Sequence, residues 1–171
     1  MSGGLASVLA SPARRFAAIA ALALGAVAAA LVTQHGFDMQ PCAWCVLQRL
    51  EFVTIAAIAL LGLVWRSAAG TRVVTGAIMA LAAAGMATAL WQHFVAAVST
   101  SCNRTLAERI VGATGVDRLL PEVFEARASC ADAAVNLLGL PYEFWSFAVF
   151  TTLAGVALWP VVRARLSAGS R

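Results

Sequence analysis

Residues 41–65 read PCAWCVLQRLEFVTIAAIALLGLVW. Two cysteines stand three residues apart, and between positions 46 and 65 the only charged side chains are Arg49 and Glu51. An apolar run of about 20 residues is what a helix needs to cross a hydrocarbon core about 30 Å thick. Three more stretches share this character, at 16–34, 73–98 and 142–162. The composition agrees: 61% of the 171 residues are hydrophobic, 12% are charged and the mean hydropathy is +0.85. A soluble domain carries about 25% charged residues. Intrinsic disorder and an ordinary soluble enzyme are thereby excluded, and a scattered net charge of +4 gives no nucleic-acid footprint. The expectation is an all-α integral membrane protein, a four-helix transmembrane bundle forming one membrane domain over 1–171, with loops at 35–45 and 99–141.

The charges orient the bundle. Every basic residue is Arg, and Arg14, Arg15, Arg66, Arg72, Arg163, Arg165 and Arg171 flank the spans on one side with no acid among them. The acids Asp38, Glu51, Glu108, Asp117, Glu122, Glu125, Asp132 and Glu143 all lie in or near the other side. The positive-inside rule then places both termini in the cytoplasm and both larger loops outside. Arg14, Arg15 and the small residues Ala28 and Ala30 also fit a cleaved signal peptide. The apolar run exceeds the h-region of about 7–15 residues, which favours an uncleaved anchor. In the third span, Gly76, Ala80, Ala84 and Thr88 recur every fourth residue, as do Gly85, Ala89, His93 and Ala97. Such rows let helix backbones approach closely in lipid.

Orientation gives the cysteines their meaning. Cys42 and Cys45 sit at the mouth of the second span, and Cys102 and Cys130 in the second loop, all facing an oxidising compartment. A bond between Cys42 and Cys45 closes a ring too small to add much loop entropy, so a purely structural role explains it poorly. A helix start and Cys-x-x-Cys spacing both favour a thiolate, an attacking and leaving group. The interval from Cys102 to Cys130 is too wide for a Cys₄ zinc site, and no metal is expected. A redox relay accounts for both pairs. A non-enzymatic scaffold held by two structural disulfides is the alternative from another class.

Arg49 follows Cys45 by four residues and Cys42 by seven, so all three share a helix face. A guanidinium one turn into a membrane snorkels, pairs with an acid such as Glu51 or Asp38, or serves a polar ligand. Beside Cys45 it could stabilise a thiolate or a reduced carbonyl acceptor. On that reading Arg49→Ala impairs use of the acceptor and leaves folding largely intact. His93 falls near the same depth, above Gly85 and Ala89, where small residues could leave room for a flat ring; an interfacial position is the plain alternative. His35 is assigned no role. In the second loop Val116, Leu119, Leu120, Val123 and Phe124 keep helical spacing, and Pro121 suits a new helix start. A short amphipathic segment on the membrane surface is expected there.

Together these residues resemble the DsbB family of bacterial inner-membrane disulfide bond formation proteins. The resemblance rests on Gln34-His35, Pro41-Cys42-x-x-Cys45, Gln48-Arg49, Cys130, and Leu138-Gly139-Leu140 opening the last span. It implies a thiol:quinone oxidoreductase of the inner membrane, with periplasmic cysteine loops. Such a protein reoxidises a periplasmic DsbA-like thioredoxin-fold partner and passes the electrons to a membrane quinone, ubiquinone or menaquinone. By motif, Cys102 and Cys130 meet the partner, with Cys102 in the mixed disulfide. Cys42 and Cys45 reoxidise that pair, with Cys45 next to the quinone, and Arg49 and His93 line the head-group site. A paralogue serving a dedicated partner fits the same motifs.

Overall fold

The structure, a computed structural model, describes residues 11–98 and 105–169, with side chains to 163. Helix α1 (Pro12–Phe37) opens with proline at its first turn and ends at Asp38, whose left-handed backbone (φ 52°) returns an N–H to Thr33 O. Helix α2 (Ala43–Val64) starts directly after Cys42, its N-cap residue. Helix α3 (Ala68–Trp91) is capped by Ser67, whose Oγ accepts from Gly70 N–H at 3.0 Å. It runs on into a π-helical turn, Gln92–Ala96, closed by Ala97 N–H donating to Gln92 O, five residues back. Helices α4 (Leu106–Thr114), α5 (Val116–Leu119) and α6 (Pro121–Phe124) follow. A two-stranded hairpin of β1 (Asn136–Leu137) and β2 (Leu140–Pro141) then leads into α7 (Tyr142–Gly169).

Four helices are long and apolar enough to cross a membrane: Pro12–Phe37, Ala43–Val64, Ala68–Ala96 and Tyr142–Arg163. The first three begin ahead of the starts read from hydropathy, because Pro12, Cys42 and Ser67 are cap or first-turn residues that a hydropathy window does not register. Each long helix packs on two neighbours in the cyclic order α1, α2, α3, α7. Lipid is as apolar as leucine, so fit rather than hydrophobicity holds such a bundle. Phe16 and Ile19, Phe52 and Ile55, Val74 and Ile78, and Phe150 and Leu153 fill its axis, two from each helix. The Phe52 and Phe150 rings stack with centroids 4.0 Å apart. Gly85 faces them, and a Cβ there would stand 2.3 Å from the Phe150 ring.

Only one of the two small-residue rows is interior. Gly85 and Ala89 are buried, whereas Gly76, Ala80 and Ala84 face outward. The inward row is a parallel one with the same i+4 spacing, Gly70, Val74, Ile78 and Ala82, two positions away in sequence and so about 200° round the helix.

The second loop folds onto the start of α2. Ala107, Val111, Phe124 and Ala133 form one apolar cluster with Cys42, Trp44 and Val46. Arg127 and Ala128 N–H both donate to Pro41 O, at 2.9 and 3.2 Å. The amphipathic segment expected at 116–125 is two short helices, α5 and α6, and the new start read at Pro121 opens the latter. Its apolar positions part company: Phe124 is 4% exposed while Leu119 is 77% and Leu120 56% exposed. Ahead of it, α4 carries a reciprocal Thr105–Glu108 capping box. Leu138 and Gly139 do not open the last span. Both have positive φ, 54° and 82°, the requirement of a two-residue type I′ hairpin turn, and α7 starts after it.

Candidate functional site: three thiols and a buried guanidinium

Cys42 is wholly buried at the N-cap and Cys45 is half-buried in the first turn of α2, so their sulfurs stand 3.3 Å apart. The hydrogen bonds from Arg127 and Ala128 to Pro41 draw the second loop over this turn and set Cys130 within hydrogen-bonding reach of Cys42. The contact divides the two thiols. Cys42 is pushed above an ordinary thiol, first by its hydrogen bond with Cys130, then by that with Cys45 and by burial. Cys130 is pulled below, chiefly because it accepts from Cys42. Cys130 is therefore the readier thiolate, aimed at the Cys42 sulfur. Cys102 lies outside the described residues.

Arg49 is 5% exposed and has no acidic partner among the described residues. Its Nη1 donates to Gln34 Oε1 at 2.6 Å and Val123 O at 3.0 Å, and its Nη2 to Ala30 O at 3.3 Å. All three acceptors are neutral. The two acids the sequence offered are engaged elsewhere, Glu51 by Thr88 Oγ1 at 3.1 Å and Asp38 by Gln40 Nε2 at 2.6 Å. Three of the five guanidinium N–H donors are thus used, leaving Nε–H and one Nη2–H without a partner among the described residues. Arg49 and Cys45 line the same cleft, with Ala30 from α1, Met39 and Pro41 from the first loop, and Tyr142 and Ser146 from α7. A buried cation facing a half-buried sulfur, with donors to spare, fits an anion or a carbonyl acceptor in that cleft.

His93 does not line this cleft. Its ring sits between Phe94 and Phe144, each centroid 4.8 Å away, with Nδ1 2.5 Å from Glu143 Oε1. The room expected over Gly85 is taken by Phe150 of the same chain, because a ring from α7 packs into the space a missing Cβ leaves. Sequence reasoning passed over Gln34, which holds Arg49, and Tyr142, whose hydroxyl hydrogen-bonds Thr33 Oγ1 at 3.0 Å at the cleft wall. Gln34 already stood in the quoted Gln-His pair. Tyr142 carried no signal beyond being the only tyrosine.

Four helices able to cross a membrane, with three thiols gathered at one end, define the class as a multi-pass membrane protein with clustered cysteines. The profile of the family Disulfide bond formation protein DsbB matches residues 12–160, and the chain belongs to that family. It is 31% identical over 154 residues to Disulfide bond formation protein B of Aromatoleum aromaticum, covering 88% of this chain and 92% of the relative. The protein of the same name from Burkholderia pseudomallei is 30% identical over 138 residues, 80% of this chain and 81% of its own. That from Polaromonas naphthalenivorans is 27% identical over 160 residues, 92% and 95%.

Proposed function

We propose that this disulfide bond formation protein is a thiol:quinone oxidoreductase of the inner membrane. It reoxidises a DsbA-like periplasmic dithiol protein, with both termini cytoplasmic and both cysteine loops periplasmic. The observation that carries the reading is Arg49, a buried guanidinium with neutral partners only, in one cleft with Cys45. An isolated buried cation costs several kcal/mol after relaxation. Negative charge arriving beside it, on a Cys45 thiolate or a reduced acceptor, offsets that cost.

The thiols supply the steps. A partner thiolate attacks Cys102 of a Cys102–Cys130 disulfide, forming a mixed disulfide and releasing Cys130 thiolate; the partner's second thiol resolves it and leaves Cys102 reduced. Cys130, held against Cys42 with its thiol pulled below the ordinary range, attacks the Cys42 sulfur of a Cys42–Cys45 disulfide. Cys45 leaves as a thiolate beside Arg49. Cys102 then displaces Cys42 from Cys130, and the electron pair rests on Cys42 and Cys45. A quinone held in the cleft would supply the acceptor for two electrons and two protons, making the sum partner dithiol plus quinone to partner disulfide plus quinol. Arg49 would hold its head group. His93 stands outside this cleft, so its proposed contact with the quinone lies beyond the Arg49–Cys45 pocket, through the Nε2 that Glu143 leaves.

An external acceptor is required on energetic grounds. A DsbA-type oxidant sits near −120 mV and an ordinary structural disulfide below about −300 mV, so the latter would drive the former about 8 kcal/mol uphill. The test is quinone reduction, followed by absorbance, with a reduced DsbA-type protein and a short-chain quinone. Turnover in the wild type and none in Cys45→Ser supports the reading. No turnover by folded protein with several quinones and dithiol partners rejects it.

A further inference from the structure

The cleft accounts for one flank of Cys45. Its other flank, against α3, is closed by two buried amides. Gln92 Nε2 stands 3.2 Å from Cys45 Sγ, and Gln48 Nε2 donates to Gln92 Oε1 at 2.8 Å. Gln92 is 2% exposed and Gln48 3%. Buried amides are kept where their hydrogen bonds are satisfied, and this pair is chained to a reacting sulfur. The chain also has a direction. Gln48 presents a donor to Gln92 Oε1, which turns the Gln92 N–H₂ group, and not its oxygen, toward the sulfur.

Backbone geometry points the same way. Gln92 opens the π-helical turn, and its carbonyl takes the Ala97 N–H in place of the usual i+4 bond. One added residue per turn rotates the side chains that follow, and such turns occur often at functional sites. Here the rotation starts at the residue that touches Cys45.

We propose that Gln92 is a catalytic hydrogen-bond donor to the Cys45 thiolate and that Gln48 is the positioning residue that orients it. Resting on the assignment of Cys45 as the leaving and electron-delivering thiol, this gives that thiolate donors on two sides: Arg49 across the cleft and Gln92 from α3. A thiolate accepts from an amide N–H, whereas a disulfide sulfur accepts weakly, so the contact strengthens as Cys45 is released. That is the differential binding that speeds a step. The other titratable or charged groups facing Cys45 are Cys42, Cys130, Arg49 and Tyr142.

The test uses full-length reduced protein in detergent. Iodoacetamide labelling of each cysteine is quantified by mass spectrometry across pH, for the wild type, Gln92→Met and Gln48→Met, with quinone reduction measured alongside. Gln92→Met raises the pH of half-reactivity at Cys45 by about one unit, a roughly fivefold smaller thiolate fraction at neutral pH for a thiol that titrates there. Quinone reduction slows by a similar factor, and Cys130, which feels Cys45 only through its charge, moves less. Gln48→Met shifts Cys45 in the same direction by less, and carries the test alone if Gln92→Met does not fold. An unchanged Cys45 profile in folded variants, with normal wild-type turnover, overturns this inference and leaves the proposed function standing. A shifted profile in a protein that reduces no quinone keeps the donor assignment and rejects the quinone reading.

Discussion

Replacing Arg49 with methionine keeps most of the side-chain volume and removes the charge and every donor. Two acceptors lose their partner, Gln34 Oε1 and Val123 O; Ala30 O still accepts from Thr33 Oγ1 at 3.0 Å. Orphaning a buried acceptor costs about 1–3 kcal/mol, so the fold loses about 2–6 kcal/mol by that route. Against this, the variant no longer buries a cation without a counter-ion, which relieves several kcal/mol. The terms are of the same size and opposite sign. The expected net change in stability is within about 2 kcal/mol, and the near-intact fold read from sequence holds only through this cancellation. Catalysis has no such compensation. One lost hydrogen bond to a charged acceptor is about 1.5–3 kcal/mol, which lowers kcat/KM for quinone roughly ten- to a hundredfold. The assay pairs quinone-reduction kinetics with chemical unfolding in mild detergent. A strongly destabilised variant whose remaining folded fraction shows wild-type kcat/KM would refute the reasoning and make Arg49 a structural tie.

Gly85→Ala puts a methyl 2.3 Å from the Phe150 ring, which is itself stacked on Phe52, so thermal stability falls by about 1–3 kcal/mol; Phe150→Leu in the same chain restores part of it. A melt unchanged by Gly85→Ala would show that the aromatic stack is free to shift. In fully reduced protein Cys130, lowered by its hydrogen bond with Cys42, becomes thiolate at lower pH than the raised Cys42. As pH is raised, iodoacetamide therefore labels Cys130 first, and mass spectrometry showing the reverse order contradicts the direction of attack. Thr105→Ala removes one half of the capping box and frays α4 by about 1 kcal/mol, read as faster amide exchange over 106–109 with the long helices unaffected.

The spans and the Cys-x-x-Cys turn were legible because each is local. Hydropathy marks a run of apolar residues, and a spacing of three places two sulfurs on one side of a helix start. What brings Cys130 to Cys42 is not local: two backbone hydrogen bonds to Pro41 and the burial of Phe124 and Val111, for which loop sequence gives no register. Arg49 was legible as an anomaly, while its neutral partners come from two distant segments, α1 and α6, and emerge only from packing. The Thr105–Glu108 box was written in the sequence and passed over beside the stronger pattern at 116–125. The π-helical turn has no sequence signature, and the displaced small-residue row shows why: an i+4 spacing names a helix face without saying which face turns inward.

The central claim is that electrons leave the protein from Cys42 and Cys45 to a quinone. Fully reduced protein, without any dithiol partner, receives one equivalent of a short-chain quinone under anaerobic conditions and is quenched in acid for thiol counting and disulfide mapping. The account predicts two thiols lost per quinol formed and a disulfide between Cys42 and Cys45, with neither product in Cys45→Ser. Quinone left unreduced by folded protein, or thiols lost with Cys42 and Cys45 still free, would contradict it.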